Sequence, residues 1–91
     1  MTLEWHKSYL KDYQKLPQRI QQKTDKQLGF LLQDWRHPSL RTKKVQGSLL
    51  AKKVVALYEI NITMNYRLLF QKTKTSYILL AVGTHDEILG R

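Results

Sequence analysis

Two side chains in this sequence have the chemistry to act on a phosphate at neutral pH. His85 carries an imidazole, the side chain type best suited to proton transfer at neutral pH, and Arg67 is a permanent cation set in the otherwise apolar stretch Tyr66-Arg67-Leu68-Leu69-Phe70. A basic segment, Arg41, Lys43 and Lys44, precedes them. Several cations around one titratable group suit a phosphodiester: the cations stabilise charge developing on phosphorus, and the imidazole donates or accepts a proton. Each residue also has a plainer reading. His85 can be an exposed residue in a capped terminal turn. Arg67 can pair with Glu59 on a solvated face, which is worth at most about 1 kcal/mol. Arg41, Lys43 and Lys44 can be an ordinary charged loop. His6 and His37 lie far from His85 in sequence and lack ligand spacing, so neither a metal site nor a cofactor is expected. With no cysteine, thiolate catalysis and disulfides are excluded.

The elements that must hold these groups follow from hydrophobic spacing. Tyr9, Leu10, Tyr13 and Leu16 recur at helical intervals, so 7–15 reads as a short amphipathic helix. Pro17 suits the first turn of a second helix, in which Ile20, Leu28, Leu31, Leu32 and Trp35 form one apolar stripe, ending before Pro38. After a polar, basic stretch at 36–46, residues 54–62 are β-branched and apolar and read as a strand. Strands at 66–71 and 76–82 follow across polar turns, and 2–5 adds a possible edge strand. Thr84-His85-Asp86-Glu87 is a capping box that opens a terminal helical turn at 85–89. The expected fold is α+β: an N-terminal helical hairpin on one face of a small antiparallel sheet of three to four strands.

Register decides which residues share a face, because side chains alternate across a sheet. A loop at 63–65 puts Tyr58, Ile60 and Ile62 with Tyr66, Leu68 and Phe70 on an apolar face that must meet the helices. The opposite face then carries Glu59, Asn61, Arg67 and Gln71, with Val55, Leu57 and Leu69 further along, and is expected to be open, with Arg67 near its middle. A two-residue loop at Met64 and Asn65 would bury Arg67 unpaired beside Ile60 and Ile62, at high cost.

Ninety-one residues, 42% of them hydrophobic, are enough for one domain and one core, taken as 1–91. The formal charge of +9 exceeds the magnitude of about 2 to 8 usual for a small domain. It points to an acidic partner, most commonly nucleic acid. An anionic membrane surface or an acidic protein also fits. No apolar run approaches the ~18 residues of a membrane span, so a cytoplasmic protein without a membrane role is expected.

The segments His37-Pro38-Ser39-Leu40-Arg41-Thr42-Lys43-Lys44-Val45-Gln46-Gly47, Asn65-Tyr66-Arg67-Leu68-Leu69-Phe70 and Val82-Gly83-Thr84-His85-Asp86-Glu87 occur in this order in a basic chain of this length. With Leu16-Pro17, they resemble the RelE/ParE toxin superfamily, closest to its YafQ-like members. The resemblance implies a metal-independent ribonuclease that cuts mRNA in the ribosomal A site and is neutralised by a cognate antitoxin. It also implies a monomer, or a hetero-oligomer with that antitoxin. On this resemblance His85 matches the histidine proposed as general acid, and Arg67 matches the strand arginine that stabilises the phosphate. Lys43 stands where members carry a catalytic His or Lys, and Asn61 where the YafQ-like pattern has a second His. Arg41, Lys44, Glu59 and Gln71 are the further RNA-contact candidates. With Lys43 and Asn61 in place of histidines, the general base is unassigned. The alternative within the superfamily is a ParE-like toxin or an inactive binding module acting on gyrase or another protein. A pure binder needs no imidazole beside its basic face, so His85 favours the nuclease.

Overall fold

The computed structural model describes residues 1–89. In chain order the elements are β1 (Thr2–Trp5), α1 (Lys7–Gln14), α2 (Gln18–Gln33), β2 (Lys43–Lys44), α3 (Leu49–Lys53), β3 (Leu57–Asn61), β4 (Tyr66–Lys72), β5 (Ser76–Thr84) and α4 (His85–Leu89). A single 3-10 turn at Pro38–Leu40 lies between α2 and β2. The α+β arrangement is the expected one, but the sheet has five strands, in the order β1-β5-β4-β3-β2. It is mixed rather than antiparallel, because β1 runs parallel to β5.

The helical hairpin packs as its apolar spacing requires. On α2, Ile20, Thr24, Gln27, Leu28 and Leu31 are buried, a stripe at steps of three and four residues. Leu32, expected in that stripe, is 46% exposed, because it lies about 100° round the helix from Leu31. Phe70, Ile60, Leu68, Leu40 and Leu79 complete the core under the helices. α1 ties itself to β5 beyond the end of β1: His6 N–H donates to Leu79 O (3.0 Å), Ser8 Oγ to Leu80 O (2.8 Å), and Val82 N–H to Asp12 Oδ2 (3.2 Å). Leu80 is the extra residue of a β-bulge, since Leu69 pairs with Ala81 and Phe70 with Leu79.

The hairpin register is the one that keeps Arg67 out of the core: Tyr58 faces Phe70, Ile60 faces Leu68, and Asn61 faces Arg67. The opposite face is not open as expected. Leu57, Leu69, Ala81 and Ile88 form a second small core there, covered by Val45, Leu50, Ala51 and Val54. The strand read at 54–62 begins only at Leu57; residues 54–56 form a turn that follows a short helix, α3, ending at Lys53. Ser48 caps that helix, its Oγ accepting from Ala51 N–H at 3.0 Å. Ala56 then takes φ +55°, which breaks an extended backbone. Apolar Leu57 and Leu69 required a cover, and this segment supplies it. Among the described residues, no helix is long and apolar enough to cross a membrane.

Candidate active site

The turn between β3 and β4 organises the site. Thr63 Oγ1 accepts from the N–H groups of Asn65 (3.3 Å) and Tyr66 (3.2 Å). Arg67, pairing with Asn61 at the end of the hairpin, folds its guanidinium back over this turn. Its Nη1 donates to the carbonyls of Thr63 (2.6 Å), Met64 (2.8 Å) and Tyr66 (3.1 Å). Its Nε lies 3.4 Å from Glu59 Oε1. One arginine therefore holds both the turn and the neighbouring strand, and its side chain is only 16% exposed.

Glu59 is buried, 5% exposed, not on the open surface where an RNA contact would need it. Its position follows from the register: it faces Leu69 on one side and Lys43 on the other, within the small core that α3 covers. Lys43 Nζ approaches the same oxygen, Oε1, at 3.7 Å, and its own side chain is 64% exposed. A buried carboxylate between two cations is the arrangement that makes its burial tolerable. Its effect is to aim the guanidinium and the ammonium from one anchor.

His85 stands at the junction of β5 and α4. Its N–H donates to Asn65 O (2.9 Å), which joins the strand end to the β3–β4 turn. The capping box is formed: Thr84 N–H and Oγ1 donate to Glu87 Oε1 (2.9 and 2.8 Å), and Glu87 N–H donates to Thr84 Oγ1 (3.3 Å). Nδ1 of His85 is buried and has no hydrogen-bond partner among the described residues. The ring lines a cleft of about 690 Å³ together with Arg19, Met64, Asn65, Tyr66, Arg67, Thr84 and Asp86. His6 and His37 lie elsewhere, His6 at the start of α1 and His37 stacked on Phe30 at 4.2 Å.

The other candidates divide. Asn61 and Arg41 line a second cleft of about 390 Å³, which shares Met64 and Arg67 with the first. Lys43 joins through Glu59. Lys44 pairs with Tyr58 and so projects to the helix side of the sheet, away from Lys43. Gln71 is four residues along β4 from Arg67, about 13 Å, and the geometry does not bring it to the site. Two cations not anticipated from the sequence are present, Arg19 in the first cleft and Lys23 in the second. Only the packing of α2 beside the β3–β4 turn sets them apart from the other polar residues of that helix. The whole suits chemistry on a polyanion, with one imidazole and several fixed cations around a groove.

A family model described as ParE-like toxin domain matches residues 18–88. No curated protein sequence matches the chain. Among solved structures the chain is similar to YafQ from E. coli, with a TM-score of 0.77 and 14% identity over 97% of each chain. It is also similar to YafQ in the E. coli DinJ–YafQ toxin–antitoxin complex, with a TM-score of 0.72 and 22% identity over 97% of this chain and 96% of that one. A third likeness is to the archaeal RelE–RelB complex from Pyrococcus horikoshii, with a TM-score of 0.72 and 16% identity over 91% of this chain and 92% of that one.

Proposed function

The chain belongs to the ParE-like toxin family of the RelE/ParE superfamily, and from that premise we propose that it is a ribosome-dependent endoribonuclease that cuts mRNA in the A site and so inhibits translation. The observation that carries this reading is His85 in one cleft with Arg67 and Arg19. In the proposed step the 2′-hydroxyl of a nucleotide attacks the adjacent phosphorus. The bond from the 2′-oxygen to phosphorus forms as the bond from phosphorus to the 5′-oxygen breaks. Protonated His85 gives its proton to that leaving oxygen. Arg67 and Lys43, aimed by Glu59, stabilise the charge on the phosphoryl oxygens. The products are a 2′,3′-cyclic phosphate and a 5′-hydroxyl. Asn61 and Arg41, in the adjoining cleft, contact the strand. The base that accepts the 2′-hydroxyl proton is not assigned.

The charge of +9 supports an acidic antitoxin as the neutralising partner, as the names of the toxin–antitoxin neighbours suggest. The protein then acts in the cytoplasm, as a monomer or bound to that antitoxin. Primer extension on a translated reporter mRNA tests the nuclease, with ribosome-free RNA as control and His85→Ala beside the wild type. Cuts that need translation and vanish in the variant support it. Intact mRNA with arrested growth sinks it. That outcome would favour the second reading, a toxin acting on gyrase or another protein, which the engagement of Arg67 Nη1 with three turn carbonyls supports.

A further inference from the structure

The two clefts that flank the β3–β4 turn share Met64 and Arg67, so they adjoin across the turn. Arg67 is a poor first contact for a substrate in this groove, because Nη1 and Nε are already engaged within the protein. The groove's other cations are differently placed. Arg19 and Lys23 are exposed on α2, Arg41 is exposed at the end of the 3-10 turn, and no hydrogen bond or ion pair involves their side chains among the described residues. Arg19 and Lys23 are four residues apart on one helix, a rise of about 6 Å, comparable with the separation of neighbouring phosphates on one strand. Arg41 lines the second cleft with Lys23 and adopts φ +48°, a conformation costly for a residue other than glycine.

The floor between these banks is built. Gln27, 3% exposed, donates from Nε2 to Ser39 O (3.2 Å) and to Asn61 O (2.9 Å), and so fastens α2 to both the 3-10 turn and the end of β3. Met64 stands 87% exposed on the crest shared by the two clefts, where its thioether offers an apolar surface to a base. Asp86 is the one carboxylate among the described residues lining either cleft, and it lies at the His85 end.

We propose that this groove is a binding track for single-stranded RNA, in which Arg19, Lys23 and Arg41 hold successive backbone phosphates and Met64 supports a base as the strand passes over the turn to His85. The three cations grip the substrate before reaction, leaving Arg67 and Lys43 to act on the phosphate being cut. The assignment of RNA as the ligand rests on the nuclease reading, but the track itself is testable without cleavage.

The probe is a fluorescent RNA of about ten nucleotides, a common single-strand site size, with every 2′-hydroxyl methylated so that it cannot be cut. Its binding to the purified full chain is followed by fluorescence anisotropy across a series of salt concentrations. Each phosphate contact contributes a slope of about 0.7 in log affinity against log salt for single strands. Arg19→Gln, Lys23→Gln and Arg41→Asn should each lower the slope by about 0.7 and weaken binding, Asn being chosen because it tolerates a positive φ. Lys7→Gln, at the start of α1 and outside the groove, should leave the slope unchanged. Met64→Ser should weaken binding several-fold at constant slope. Equal losses in Lys7→Gln and the groove variants would reduce the effect to net charge and overturn the track. So would a wild type that ignores the RNA yet binds a polyglutamate peptide, which would assign the groove to an acidic protein. If the variant pattern appears as expected but translated mRNA is never cut, the track stands and the nuclease reading alone fails.

Discussion

Arg67 Nε and Glu59 Oε1 lie 3.4 Å apart across the β3–β4 hairpin, and Lys43 Nζ reaches the same oxygen from the edge strand at 3.7 Å. The carboxylate is buried, whereas Lys43 is largely exposed, so the interaction with Arg67 is the less screened of the two. Glu59→Gln keeps the shape and removes the charge. The loss of a charge-assisted partner at a buried site is expected to cost about 1–3 kcal/mol. Urea denaturation measures it, and cleavage of translated mRNA should fall further than stability does, because both cations lose their aim. Stability within error of the wild type would show that the carboxylate is not an anchor.

Arg67→Lys separates charge from geometry. Lysine retains the cation but not the planar fork that reaches three carbonyls and Glu59 at once. The variant should lose about 1 kcal/mol of stability, and the amides of Asn65 and Tyr66 should exchange hydrogen faster as the turn loosens. If exchange there is unaltered, Arg67 does not hold the turn.

Much of this architecture could be read before any coordinates, for identifiable reasons. The helical hairpin, the β3–β4 register and the capping box are local patterns, in which spacing of three, four or two residues names the face directly. The Arg67–Glu59 neighbourhood followed from register, since an unpaired buried arginine ruled out the alternative loop. What was not legible depends on contacts distant in sequence. The five-residue α3, capped by Ser48, exists because Leu57 and Leu69 need a cover. Lys43–Lys44 forms a strand only by pairing with Tyr58 and Glu59, and β1 lies parallel to β5 at a separation of about 74 residues. Arg19 and Lys23 look like any solvated helix face until α2 is laid beside the turn.

Tyr9 gives the protein an alkaline limit. Its hydroxyl is pushed well above the ordinary value of 10.0, first by burial, then by Tyr13 and Asp25 nearby. In the unfolded chain the phenol ionises near that ordinary value, whereas in the fold it stays neutral. The group's contribution to stability is therefore complete below about pH 10 and declines as pH rises above it, because the unfolded state gains by losing the proton. Tyr9→Phe should show a shallower loss of stability between neutral and strongly alkaline pH than the wild type, measured by denaturant unfolding at each pH. Parallel curves would mean that Tyr9 ionises alike in the folded and unfolded states and that burial does not set the limit.

The capping box fixes the start of α4, where His85 stands. The strand end is held independently, by His85 N–H on Asn65 O, so removing the box should loosen the start of α4 without detaching β5. Thr84→Ala deletes the hydroxyl that both donates to Glu87 Oε1 and accepts from Glu87 N–H, at an expected cost of about 1 kcal/mol. Glu87→Ala should match it, while Glu87→Gln, whose amide oxygen can still accept from Thr84 N–H, should stay near the wild type. Gly83 leaves room for this arrangement: a Cβ there would meet Glu87 Oε1 at 3.4 Å, so Gly83→Ala should displace the carboxylate slightly and fall between the two. If His85 is the general acid, kcat for cleavage on translating ribosomes should drop in Thr84→Ala and Glu87→Ala by more than their stability loss explains, with KM little changed, because the imidazole is misaimed while the groove still holds RNA. Wild-type kcat in both variants would show that the orientation of His85 owes nothing to the box.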